Sequence, residues 1–196
     1  VKKQYPLGQV YLFIDEFTNF YDDVIGRDSI QVLSKLGYEV IISDHQESGR
    51  SFISKGLLDE AKKLANQNVE FFKDKINKDA PLVGIEPSAI LTFRDEYLRL
   101  ADDKEIANEI SKFTFTIEEF IEKEIKNRHI RENQFTLRSK TIKVHGHCQQ
   151  KSLSNMKSTF SMLSLPKNYQ VSIMNTGCCG MAGSFGYEKE HYELSM

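Results

Sequence analysis

Tyr169-Gln170-Val171-Ser172-Ile173-Met174-Asn175-Thr176-Gly177-Cys178-Cys179-Gly180 runs from an alternating, β-branched segment straight into a turn of glycines and adjacent thiols. Its first half predicts a strand, and its second half a tight loop at the strand's carboxyl end. A stretch nearer the N-terminus has the same design: Tyr38-Glu39-Val40-Ile41-Ile42-Ser43, followed by Asp44-His45-Gln46-Glu47-Ser48-Gly49-Arg50. At an offset of 131 residues Tyr38 falls on Tyr169, Val40 on Val171, Ile42 on Ile173 and Gly49 on Gly180, which reads as an internal repeat. In that register Glu47 and Ser48 stand at the places of Cys178 and Cys179, and Phe17 or Thr18 at the place of Cys148.

Working outward, Val10-Tyr11-Leu12-Phe13-Ile14-Asp15 is an apolar run ending in polar residues, as a buried parallel strand does. Residues 24–36 have helical spacing closed by Gly37, and residues 57–76 form a long amphipathic helix. Leu82-Val83-Gly84-Ile85 is a third strand, stopped by Glu86-Pro87-Ser88. Strand, helix, strand, helix, strand predicts a right-handed α/β unit with a parallel sheet. Residues 89–100 and 117–125 read as helices bridging to a second unit. There Thr141-Ile142-Lys143-Val144 leads into the loop His145-Gly146-His147-Cys148, and residues 153–163 are expected to be helical. The fold expected is therefore α/β, with two tandem Rossmann-like βαβ repeats on short parallel sheets. Residues 1–110 form a first repeat without cysteines, 111–139 a helical connection, and 140–196 a second repeat. The third strand of that second repeat would fall beyond Met196, so it reads as truncated.

With 196 residues, 40% of them hydrophobic, the chain is long enough to bury a sizeable core as one domain or two joined halves. A net charge of −2 and a pI near 6.3 leave no basic footprint, which excludes nucleic acid as the expected partner. No apolar run approaches the ~20 residues that span a bilayer, and Val1-Lys2-Lys3-Gln4-Tyr5-Pro6 is no signal peptide. The expectation is a cytoplasmic protein, or one held peripherally at the inner face of the membrane. Three cysteines, two of them adjacent, suit a reducing compartment and a metal site better than a disulfide framework.

Cys148 and the Cys178-Cys179 pair all follow predicted strands, so they are expected to meet at one edge of the second half, where open parallel sheets bind ligands. Thiolates ligate soft metals, and Gly177 and Gly180 let the backbone curl around such a site. Three thiols fall short of four ligands, which makes His145 and His147 the further candidates. Glu47 and Glu86 read as loop or helix-cap acids. Arg94-Asp95-Glu96 reads as a solvated helix face with local ion pairs. Gly183-Ser184-Phe185-Gly186 has neither the spacing nor the Lys-Ser/Thr ending of a phosphate loop. No nucleophile-and-base arrangement of a hydrolase stands at a recognisable spacing. An iron–sulfur cluster, a structural zinc ion and a scaffold that has lost its metal all remain open on these residues. A disulfide catalyst is disfavoured, because a bond between adjacent cysteines is strained.

Residues 145–152 (His-Gly-His-Cys-Gln-Gln-Lys-Ser), 177–196, Glu86-Pro87-Ser88 with Arg94-Asp95-Glu96-Tyr97, and Ile53-Ser54-Lys55-Gly56-Leu57-Leu58 closely resemble the cysteine-rich CCG module. That module occurs in heterodisulfide reductase. It also ends FAD-linked oxidases of the D-lactate dehydrogenase, glycolate oxidase and D-2-hydroxyglutarate dehydrogenase type. The resemblance covers nearly the whole chain. It implies the C-terminal iron–sulfur electron-transfer part of a flavoprotein, with FAD-binding and ferredoxin-like domains upstream in the same chain. On this reading the fragment alone turns over no substrate. The alternative is a structural zinc-binding or vestigial scaffold module that docks the flavoprotein to a partner. Members of the family commonly carry cysteines where this chain has Glu47-Ser48 and Ala89.

Overall fold

The computed structural model of the chain describes residues 5–177, 179–180 and 185–195. Its first half begins with β1 (Gly8–Phe13), α1 (Glu16–Phe20), α2 (Asp23–Leu36) and β2 (Tyr38–Ile41). Next come α3 (Arg50–Lys55), α4 (Leu58–Phe72), β3 (Leu82–Gly84), α5 (Pro87–Ile90), a 3-10 turn at Leu91–Arg94 and α6 (Glu96–Leu100). The helix α7 (Lys104–Lys112), β4 (Thr114–Thr116) and α8 (Ile117–Lys126) follow. The second half holds β5 (Lys140–Val144), α9 (Cys148–Leu153), α10 (Met156–Leu163), β6 (Tyr169–Ile173) and α11 (Tyr192–Ser195).

Both sheets are parallel, as expected: one of four strands in the order β2-β1-β3-β4, the other the pair β5-β6. Alternation along β1 sends Val10 and Leu12 to one face and Tyr11 and Phe13 to the other. On the first face Val10, Leu12 and Val83 pack with Leu33 of α2 and Phe120 and Ile121 of α8. On the second, Phe13 and Leu82 pack with Phe72, Ile90, Phe93, Tyr97 and Ile110. Helices thus cover both faces, which is why these strands read as continuous apolar runs. α2 stops where Gly37 takes φ 105°, its N–H bonding the Leu33 and Ser34 carbonyls.

Four expectations are corrected. The helix read across residues 89–100 is broken into α5, the 3-10 turn and α6, with Asp95 at φ −130°, ψ −79° between them. Ala89, Ile90, Leu91, Thr92 and Phe93 are all buried, and no single helix face can bury five consecutive side chains. The helix read over 153–163 restarts at Asn155, whose side chain accepts the Lys157 and Ser158 N–H groups and caps α10. The strand β4, absent from the sequence reading, is only Thr114-Phe115-Thr116, too short to show a period. Finally, α8 does more than bridge. It fills the first sheet's core and also meets α10, where the Ser158 hydroxyl donates to Glu122 at 2.8 Å. Among the described residues no helix is long and apolar enough to cross a membrane.

The repeat is real in geometry but shifted by one residue in its first strand. β1 pairs Gly8 with Tyr38, whereas β5 pairs Lys140 with Tyr169, so the first pair encloses one residue more. Asp15 then matches His147, each capping the helix after its strand, and Glu16 matches Cys148 as that helix's first residue. The counterpart of Cys148 is therefore Glu16, not Phe17 or Thr18.

Candidate thiol site at the strand ends

In the second half Val144 and Ile173 are level, and the Met174 N–H donates to the Val144 carbonyl at 2.8 Å, so the two strands release their loops side by side. His145 Nδ1 lies 2.9 Å from the Thr176 hydroxyl and ties one loop to the other. Gly146 permits a close turn, since a Cβ there would lie 2.7 Å from Met156 Sδ. His147 caps α9, its Nδ1 accepting from the Gln149 N–H at 3.2 Å. An accepting Nδ1 leaves the proton on Nε2, which points at Glu86 Oε1 3.3 Å away. Cys148 opens α9; both it and Cys179 are exposed and outside any disulfide. Cys178 and residues 181–184 lie outside the described residues.

The matching place in the first half is closed by oxygen chemistry. The Ser48 hydroxyl donates to Glu16 Oε1 at 2.7 Å and the Ser48 N–H to Glu16 Oε2 at 2.9 Å, with both residues buried. Ser48 Oγ also accepts the Arg50 N–H at 3.0 Å. Arg50 continues the network, pairing with Glu96 at 2.6 Å and donating from Nε to the Ser88 carbonyl at 2.8 Å. Asn68 and Tyr97 complete it: Asn68 Nδ2 donates to the Glu47 carbonyl at 2.9 Å and the Tyr97 hydroxyl to the Ser48 carbonyl at 2.9 Å. Glu86 is the cap of α5, as anticipated for a strand-end acid. The Arg94-Asp95-Glu96 expectation holds only for Asp95, which pairs locally with Arg99 at 2.9 Å. Glu96 holds Arg50, and Arg94 bonds Glu119 at 2.6 Å and the Leu153 carbonyl at 3.0 Å, joining the first half to α9. Burial, which sequence spacing does not report, separates these pairs from a solvated face.

Between the sheet edge and this network sit two titratable groups. His45 donates from Nδ1 to the Gln46 carbonyl at 2.8 Å and accepts the Ile14 N–H at Nε2 at 3.2 Å, while burial pushes its pKa down and keeps the ring neutral. Asp15 is pushed up to about 6, because burial outweighs the hydrogen bonds from Thr18. The folded protein therefore holds a proton on Asp15 more tightly than the unfolded chain does. That stabilisation is full below the unfolded value near 4 and is lost as pH rises through about 6. Asp15→Asn is expected to gain stability relative to the parent between about pH 4.5 and about pH 7, measured as paired urea midpoints. A difference independent of pH would refute the shift.

Of the three thiols, only Cys148 and Cys179 are among the described residues. No three His, Cys, Asp or Glu side chains among the described residues gather around a common point. His145 is engaged through Nδ1 with Thr176, and His147 with Gln149 and Glu86. Among the described residues a Cβ at Gly177 or Gly180 would meet nothing within 4 Å, and Gly180 serves a left-handed turn at φ 90°.

The geometry defines a repeated α/β protein with thiols on the loops that follow parallel strands. The chain is similar to the D-2-hydroxyglutarate dehydrogenase of Haemophilus influenzae, 28% identical over 200 residues that take in 95% of this chain and 18% of that protein. It is similar also to one subunit of the anaerobic glycerol-3-phosphate dehydrogenase of Escherichia coli K12, 27% identical, covering 95% of this chain and 47% of that protein. A third relative is the lactate utilization protein A of Shouchella clausii, 25% identical, covering 90% of this chain and 73% of that protein. The chain thus spans less than a fifth of the first relative's length and about half of the second's. No family model and no solved structure matches the chain.

Proposed function

We propose that this chain is the thiol-bearing electron-transfer segment of a larger dehydrogenase that oxidises a 2-hydroxy acid, with FAD bound elsewhere in that protein. The observation that carries the reading is the Glu16–Ser48 contact of 2.7 Å. The scaffold that brings those two positions together in the first half carries Cys148 and Cys179 at the same two positions in the second. Two dehydrogenases among the relatives agree with an oxidoreductase role. The group this reading calls for is an iron–sulfur cluster, for which Cys148, Cys178 and Cys179 are the ligands of choice and His145 and His147 are second-rank donors. Its chemistry would be one-electron exchange. The chain's own contribution is to hold two loops at one sheet edge, through the His145–Thr176 bond and the His147 cap.

The test is metal and sulfide analysis of the full-length protein purified without oxygen, beside its Cys148→Ser and Cys178→Ser variants. Iron and sulfide are expected together in the parent and to be lost together in both variants. One equivalent of zinc without sulfide, with the variants losing stability but not electron flow, would overturn electron transfer in favour of a structural site.

A further inference from the structure

At the carboxyl edge of β1 and β2 a cleft of about 390 Å³ opens between α1 and α3, with Glu188 of the C-terminal segment in its lining. Phe20, Tyr21 and Leu57 form its rim and are 69%, 62% and 47% exposed, which leaves an apolar collar in water. Such a collar around a concave site marks an interaction surface rather than ordinary scatter of apolar groups. The collar extends past the cleft, since Val24, Ile25 and Leu58, next along the chain, are also exposed. It is therefore wider than a small molecule of the cleft's volume would cover.

The charge inside is unbalanced. Among the described residues Glu16, Glu47 and Glu188 line the cleft with one base, Lys55. Lys55 is matched by Glu188 at 2.7 Å, and Glu16 is buried with both carboxylate oxygens held by Ser48, which leaves the exposed Glu47 as the acid at the opening. Partial burial and, second to it, the neighbouring Glu16 push the Glu47 carboxyl up. A guanidinium or ammonium entering here would meet carboxylate on one side and aromatic faces on the other.

We propose that this cleft docks a partner protein, which inserts an arginine or lysine from an apolar face between Glu47 and the aromatic rim. Aromatic groups around a charged anchor are the composition of an interface centre. The inference is independent of the thiol chemistry proposed above.

The probe is N-acetyl-Phe-Arg-amide, titrated into the whole 15N-labelled chain and compared with the same peptide carrying citrulline. Shifts are expected at Phe20, Tyr21, Glu47 and Leu57. Citrulline and, separately, Glu47→Gln should each weaken binding about fivefold, the size of a partly exposed ion pair. Glu105→Gln, an exposed acid elsewhere, should leave binding unchanged. Equal binding of the citrulline peptide, shifts confined to other surfaces, or equal weakening by Glu47→Gln and Glu105→Gln would each overturn the proposal.

Discussion

Arg50→Met is expected to remove about 3–5 kcal/mol of folding stability, because it strands a buried charge rather than merely deleting a contact. Arg50 is 5% exposed and bonds Glu96 at 2.6 Å, the Ser88 carbonyl at 2.8 Å and, through its backbone, Ser48. Glu96 Oε2 already has no partner among the described residues, so methionine would leave the whole carboxylate unmatched. The cost belongs to that carboxylate. Arg50→Met combined with Glu96→Leu should therefore recover most of the loss, since an apolar pair of similar volume often does as well as a buried ion pair. Urea unfolding of the two single variants and the double variant measures this. A single-variant cost below about 1 kcal/mol, the range of exposed pairs, would sink the argument.

Gly84→Ala is the second large effect. β3 lies between β1 and β4, bonded on both sides, and a Cβ at Gly84 would stand 2.4 Å from Ile90 Cβ and 2.6 Å from its Cγ1. Neither atom is the free end of a flexible chain: Ile90 sits in α5, fully buried. Overpacking normally costs about 1–3 kcal/mol, and an immovable strand against an immovable helix puts the expected loss at about 3 kcal/mol or more. Ile90→Ala should cost about 2–5 kcal/mol for the opposite reason, a cavity. The double variant should cost less than the two losses added together, because removing Ile90 Cγ1 and Cδ1 relieves two of the three close contacts, while the 2.4 Å approach to Cβ persists. Strict additivity would show that the two sites do not touch.

The same two residues show what is legible in the sequence. Gly84 lies within a strand that its apolar run announces, yet its need for glycine comes from Ile90, whose helix ends sooner than the spacing of its side chains suggests. The parallel α/β repeats are readable because apolar runs, Gly37 and the Tyr38/Tyr169 echo are local signals. Glu16 is not readable as a site residue. It carries no motif, and the Tyr38/Tyr169 echo, one residue off the register of β1, assigns its place to Phe17 or Thr18. The Arg50–Glu96 pair is hidden because charge spacing does not report burial. The cysteines are legible as chemistry, but which donors stand together depends on loop geometry that spacing does not encode.

The two halves join their loops with different materials, and this divides the protein's chemical durability. A carboxylate, a hydroxyl and a guanidinium hold the first half, and peroxide does not oxidise them. All three cysteines lie in the second half, where Cys148 and Cys179 face solvent. Wear by oxidants is thereby confined to one end of the chain, while the other keeps its shape whatever the redox state of its surroundings.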